Sequence, residues 1–165
     1  MIQTAFLLWA ALASQSPDSA ARAALTRAIF TTRDSVRAVR RSAAAFRRDL
    51  GAASPDLVVA RSQAVRSACA GAIPPATALD SLLSAQPRER GTPVATRARV
   101  ERRLGDLRAT LARCEKEFDP GYWYTRSDSL RAWGPYRLQQ IENVLRAYEY
   151  EIQTYVAAIG LRYSS

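Results

Sequence analysis

Residues Leu25, Ile29, Thr32, Val36, Val39, Ala43, Phe46 and Leu50 follow one another at intervals of 4, 3, 4, 3, 4, 3 and 4 positions. This alternation averages about 3.5 residues, close enough to the ~3.6 of an α-helix to hold all eight side chains on one stripe, and far from the period of about 2 that a strand needs. The segment is therefore a rod with an apolar seam, and the seam needs a partner to cover it. Partners are at hand. Val100, Leu104, Leu107, Leu111, Cys114 and Phe118 repeat the spacing, and so do Leu138, Ile141, Leu145, Tyr148, Ile152, Tyr155 and Ile159. Val58, Ser62, Val65, Cys69 and Ala72 make a further face.

Proline and glycine divide these rods. Ser16-Pro17, Ser54-Pro55 and Thr92-Pro93 read as helix starts, since a hydroxyl caps free amides and proline suits the first turn. Gly51 is placed to close the first helix in a left-handed conformation. The second helix is expected from about 55 to 70, stopped by Gly71 and Pro74-Pro75. A short helix carrying Leu79, Leu82 and Leu83 follows over 76–85. Gln86 to Gly91 is polar and broken, hence an exposed hinge loop. The third long helix runs from Thr92 to the Asp119-Pro120-Gly121 stop. The last covers about 135–160, with Gly134-Pro135 as an elbow before it and Gly160 ending it.

A chain of 165 residues supports one core. The expected fold is all-α: an antiparallel four-helix-type bundle with an additional short helix, crossing at about 20°, in a single domain over 14–165. No self-similarity of solenoid length is present. Ahead of it, the apolar run Ala5 to Ala13 with its small-x-small end, Ala11-Leu12-Ala13, reads as a secretory signal over 1–13, although no Lys or Arg precedes the run. The run is shorter than the ~20 residues of a spanning helix, and no Cys follows to carry a lipid. An extracytoplasmic location, periplasmic or secreted, is the expectation.

Cys69 and Cys114 both lie on seams and, with helices so divided, both near C-terminal ends. They would meet if their two helices ran the same way, the short helix supplying the return pass. In an exported chain a disulfide is the expectation, against the alternative of two buried free thiols.

The chain has no histidine. That removes the usual general base, the commonest metal ligand and the partner of Ser and Cys nucleophiles. Haem attachment through Cys-x-x-Cys-His, di-iron Glu-x-x-His motifs and Gly-rich phosphate loops are absent too. No metal and no cofactor is expected, and no enzyme. Two catalytic alternatives are the carboxylates Glu115, Glu117 and Asp119, and an arginine pocket ordering a carboxylate substrate as in helical chorismate mutases, whose first-helix lysine has no counterpart here.

Charge and aromatics remain. The net charge is +9, and Lys116 is the only basic residue that is not arginine. From Ala20 to Arg66 there are ten arginines against three acids. Arg33, Arg40 and Arg47 recur every seven residues beside the first seam, with Arg27, Arg41 and Arg48 next to them. The stripe either binds anions or pairs with Glu142 and Glu149, which flank the last seam at the same interval. Between Phe118 and Arg137, Tyr122, Trp123, Tyr124, Trp133 and Tyr136 alternate with Arg126 and Arg131. That mixture suits a protein interface, and equally a plug closing one bundle end. The expected function is binding, to a protein or cell-envelope component through the aromatic loop 118–137. The alternative is an anion or small ligand on the stripe Arg33, Arg40, Arg41, Arg47 and Arg48. Nucleic acid is disfavoured, since no aromatics interleave with the basic row.

Overall fold

The computed structural model describes residues 17–51, 54–85, 93–120 and 127–161. They form α1 (Pro17–Asp49), α2 (Pro55–Ala85), α3 (Val94–Glu117) and α4 (Ser127–Ala158), with no strand among the described residues. The signal-like segment 1–13 and the polar stretch 86–91 lie outside them.

Each helix packs on the next, and α4 returns to α1. The directions follow from the cross-links. Thr32 meets Pro75 while Asp49 meets Arg61, so α1 and α2 run oppositely. Leu83 meets Arg97 while Ser62 meets Phe118, so α2 and α3 do as well. Arg99 with Glu151 and Glu117 with Arg137 relate α3 to α4. Arg40 with Glu149 and Arg47 with Glu142 close the ring. The result is an up-down-up-down four-helix bundle, the all-α architecture the seams called for.

Every residue of the three long seams is buried, from Leu25 to Leu50, Val100 to Phe118 and Leu138 to Ile159. Each buried Leu, Ile, Val or Phe contributes roughly 1.5–3 kcal/mol, which makes this interior the main source of stability.

The helix boundaries differ from the sequence expectation at two proline sites. The separate short helix over 76–85 is not formed, because α2 continues through Gly71 and Pro74-Pro75 to Ala85. Its buried face runs Val58, Ser62, Val65, Cys69, Ala72, Ala76, Leu79 and Leu83, so the 4, 3 register passes the prolines without a break. Pro74 is exposed and Pro75 half-buried, so both sit off the seam. The amides they lack belong to the outer side of the helix, where water can reach the freed carbonyls. The elbow at Gly134-Pro135 is likewise absent. There α4 runs unbroken from Ser127, with Pro135 exposed and Gly134 buried 3.4 Å, at a built Cβ, from Leu50.

Helix ends are closed largely by neighbours. Ser54 Oγ accepts from the Leu57 amide at 3.4 Å, the cap expected for α2. Among the described glycines Gly160 alone has a positive φ, 69°, and it ends α4 as anticipated. Gly51 does not take the left-handed form expected of it, and the Leu50 amide before it still bonds back to Phe46 O at 3.0 Å. The C-terminal carbonyls find side-chain donors: Arg97 bonds Leu83 O on α2, Arg22 bonds Ile159 O at 2.8 Å beyond α4, and Ser62 bonds Phe118 O at 3.0 Å beyond α3. Each satisfies an acceptor the helix leaves open, and the guanidiniums also complement the negative helix end.

Cys69 and Cys114 form a disulfide with Cα atoms 6.1 Å apart. The expected pairing is present, but it joins antiparallel neighbours rather than helices running the same way. With α2 continuous to Ala85, Cys69 stands about 24 Å and Cys114 about 30 Å from the α2–α3 connection, so they lie at similar heights.

Candidate functional site

The heptad phase of α1 sorts its arginines into two rows. Arg33, Arg40 and Arg47 sit immediately beside the buried seam, facing the flanks of neighbouring helices. Arg40 bonds Glu149 at 2.7 Å, and Arg47 reaches Glu142 at 3.2 Å and Gln139 at 3.3 Å. The carboxylates foreseen as partners of this row are thus its partners. Arg33 instead contacts Asp34 at 3.1 Å and lies over the Phe30 ring, 4.7 Å from its centroid.

The second row, Arg37, Arg41 and Arg48, lies further round α1. Among the described residues no carboxylate pairs with any of the three. Arg37 and Arg41 are one helical turn apart and line an open groove of about 370 Å³ between α1 and α4, together with Arg40, Ala44, Glu142 and Arg146. Four arginines and one glutamate therefore line it. Arg146 is held only loosely, 3.8 Å from Glu142, with its side chain 64% exposed. Glu142 is 8% exposed and is shared between Arg47 and Arg146.

Two of these groove residues, Arg37 and Arg146, were not among the sequence candidates. Arg37 breaks the seven-residue interval but precedes Arg41 by one turn, and Arg146 follows Glu142 by four on a helix whose seam was already assigned. Those spacings are the signals that locate both.

The aromatic segment divides. Tyr122, Trp123, Tyr124 and Arg126 lie outside the described residues. Phe118 is buried, edge-on to Phe46 with centroids 5.9 Å apart, and 6.5 Å from Trp133. Trp133 is half-buried against the core and carries the Arg137 guanidinium 4.9 Å from its ring centroid. These three aromatics close one end of the bundle. Arg131 is 3.7 Å from Asp128 on the same helix, and the segment from Ser127 is helical rather than a loop. Tyr136 stands apart at 63% exposure.

The carboxylates Glu115, Glu117 and Asp119 do not share a partner among the described residues. Glu117 bonds Arg137 at 2.5 Å and Asp119 lies 3.6 Å from Arg66, so two of the three acids are drawn to different helices. A second groove of about 310 Å³ between α3 and α4 is lined by Thr110, Arg113, Glu117, Arg137, Gln140 and Asn143 over Cys114, Ile141 and Val144. It mixes amides and opposite charges, with no excess of either sign as large as that between α1 and α4. Among the described residues no group of three acids or cysteines could hold a metal ion.

Fold and site together define a disulfide-linked, up-and-down four-helix bundle with a cationic groove along one long edge. Comparison with protein families, with curated proteins and with solved structures finds no match.

Proposed function

We propose that this protein is an exported, non-catalytic bundle that binds an anionic ligand or surface along the α1–α4 edge. The observation that carries the reading is the convergence of Arg37, Arg40, Arg41 and Arg146 on one groove whose only acidic lining residue is Glu142. Solvated arginines along a helix ordinarily diverge or pair; here two have no carboxylate partner among the described residues and share a concavity. Export is supported by the leader-like segment 1–13 and by the Cys69–Cys114 disulfide, which persists in oxidising compartments. No described helix is long and apolar enough to cross a membrane. A binding role rather than a reaction is supported by the lack of histidine and by a groove lined with arginine, alanine and glutamate, none of them an activated nucleophile.

The test is calorimetric titration of citrate, pyrophosphate and heparin fragments into the native chain and into an Arg37→Gln, Arg41→Gln variant. At least one anion should bind the native chain in a salt-sensitive manner and the variant more weakly. Indistinguishable titrations across the whole panel would dismiss the groove.

A second reading, docking of a protein or envelope component on residues 118–137, is favoured by the exposure of Tyr136. Among its described residues Phe118 is buried and Trp133 packs against the core. Affinity capture from envelope extract, comparing the native chain with a Trp123→Ala, Tyr136→Ala variant, addresses it. Identical sets of captured proteins would remove it.

A further inference from the structure

Resting on the anion-binding reading, we infer that the α1–α4 groove selects a phosphate group, held by Arg37 and Arg41 and completed by Arg146 after it leaves Glu142. The lining holds four guanidiniums and one carboxylate, so a singly charged occupant leaves most of the excess uncompensated. A phosphate carries about −1.5 to −2 charges at neutral pH and offers three acceptor oxygens when singly esterified. A carboxylate offers two oxygens in one plane and is satisfied by a single guanidinium fork. Three converging forks therefore suit the tetrahedral group.

The three arginines differ from Arg40 in how they are held. Arg40 is fixed to Glu149 at 2.7 Å and forms a wall. Arg37 and Arg41 lie at i and i+4, so their Cβ atoms are about 5–6 Å apart and long side chains from both can reach one point. Across the groove Arg146 sits 3.8 Å from Glu142 and is largely exposed, a weak pair that an incoming anion can replace. Glu142 cannot follow it, because it is buried at 8% exposure and also held by Arg47. Its charge opposes the ligand throughout. The groove is open along one side, so whatever carries the phosphate projects outward, and either a soluble phosphate compound or a lipid headgroup fits. No covalent step is involved.

The experiment compares pyrophosphate with citrate by calorimetry and adds co-sedimentation with phosphatidylglycerol vesicles and with phosphatidylcholine vesicles. Pyrophosphate should bind the native chain at least about tenfold more tightly than citrate, and Arg37→Gln, Arg41→Gln should cost about tenfold. An Arg27→Gln, Arg102→Gln variant removes the same charge from exposed positions outside the groove and should change binding by less than about twofold. Glu142→Gln should tighten binding. Groove-dependent binding to phosphatidylglycerol vesicles assigns the phosphate to a headgroup; groove-dependent binding of pyrophosphate without vesicle binding assigns it to a soluble compound. Citrate binding as tightly as pyrophosphate through Arg37 and Arg41 overturns phosphate selection and leaves anion binding standing. Equal losses in the two double variants, or no binding at all, overturn both.

Discussion

The Thr32 hydroxyl donates to the Pro75 carbonyl oxygen at 3.0 Å from within the α1–α2 interface, while also lying 2.8 Å from Ala28 O. Thr32 is fully buried at a seam position whose seam neighbours Ile29 and Val36 are apolar. It touches α2 at Pro75, one turn beyond Ala70 and Gly71, whose carbonyls the two prolines leave without amide donors, so Pro75 O takes the hydroxyl as an added partner inside the interface. Thr32→Val keeps the shape of the side chain and deletes this donor. The expected loss is about 1 kcal/mol, read as a lower urea midpoint with an unchanged slope. A midpoint at or above that of the native chain would show that the carbonyl needs no such donor.

The Cys69–Cys114 bond spans 45 residues of sequence and joins two helices that already share a packed seam. Closing that loop in the unfolded chain is worth about 4 kcal/mol if chain entropy dominates. Reduction, or a Cys69→Ala, Cys114→Ala variant, should therefore lower stability by about that much while leaving the helices in place. Denaturant midpoints with and without reductant, alongside far-ultraviolet circular dichroism, measure both parts. A midpoint insensitive to reductant would mean that the bond constrains little in the unfolded ensemble.

The seams were legible because heptad spacing is a direct image of burial: Leu104 or Leu145 can be placed in the core from its neighbours three and four positions away. The prolines misled because sequence alone does not say which side of a helix they occupy. Ala72 and Ala76 carry the seam past Pro74-Pro75 with a step of four, and that continuity was the stronger signal. Leu130, Gly134 and Leu138 do the same past Pro135. The arginine row was legible only where it repeated every seven residues, since this interval reports proximity to the seam and hence pairing. Arg37 and Arg146 each carry a local i+4 signal, to Arg41 and from Glu142, but their convergence needed the three-dimensional groove, because no spacing links two helices so far apart in sequence.

Arg40 with Glu149 and Arg47 with Glu142 stitch α1 to α4 at two levels, with glutamates 16% and 11% exposed and arginines 43% and 36% exposed. Partial exposure limits what each pair contributes. Double-mutant cycles with Arg40→Gln and Glu149→Gln should give a coupling of about 0.5–1 kcal/mol that shrinks at high salt. Arg48 and Glu149, which make no ion pair, should show none. Equal coupling in the two cycles would mean that long-range charge, not the contact, sets the value.

Gly134 on α4 packs against Leu50 at the end of α1. A Cβ built there would stand 3.4 Å from Leu50 Cδ1 and 3.5 Å from Leu130 Cδ1. Two effects oppose each other in Gly134→Ala: helix propensity favours alanine by about 1 kcal/mol, while two leucine methyls must yield by a few tenths of an ångström. Their near-cancellation predicts a change of less than about 1 kcal/mol. Gly134→Leu has no such balance and should destabilise by about 1–3 kcal/mol, because its further atoms enter space that Leu50 already fills. The diagnosis rests on the double variant. If crowding against Leu50 is the cause, Leu50→Ala combined with Gly134→Leu should be more stable than the sum of the two single changes predicts, since each vacates what the other needs. Additive losses would place the clash elsewhere, against Leu130 on α4 itself.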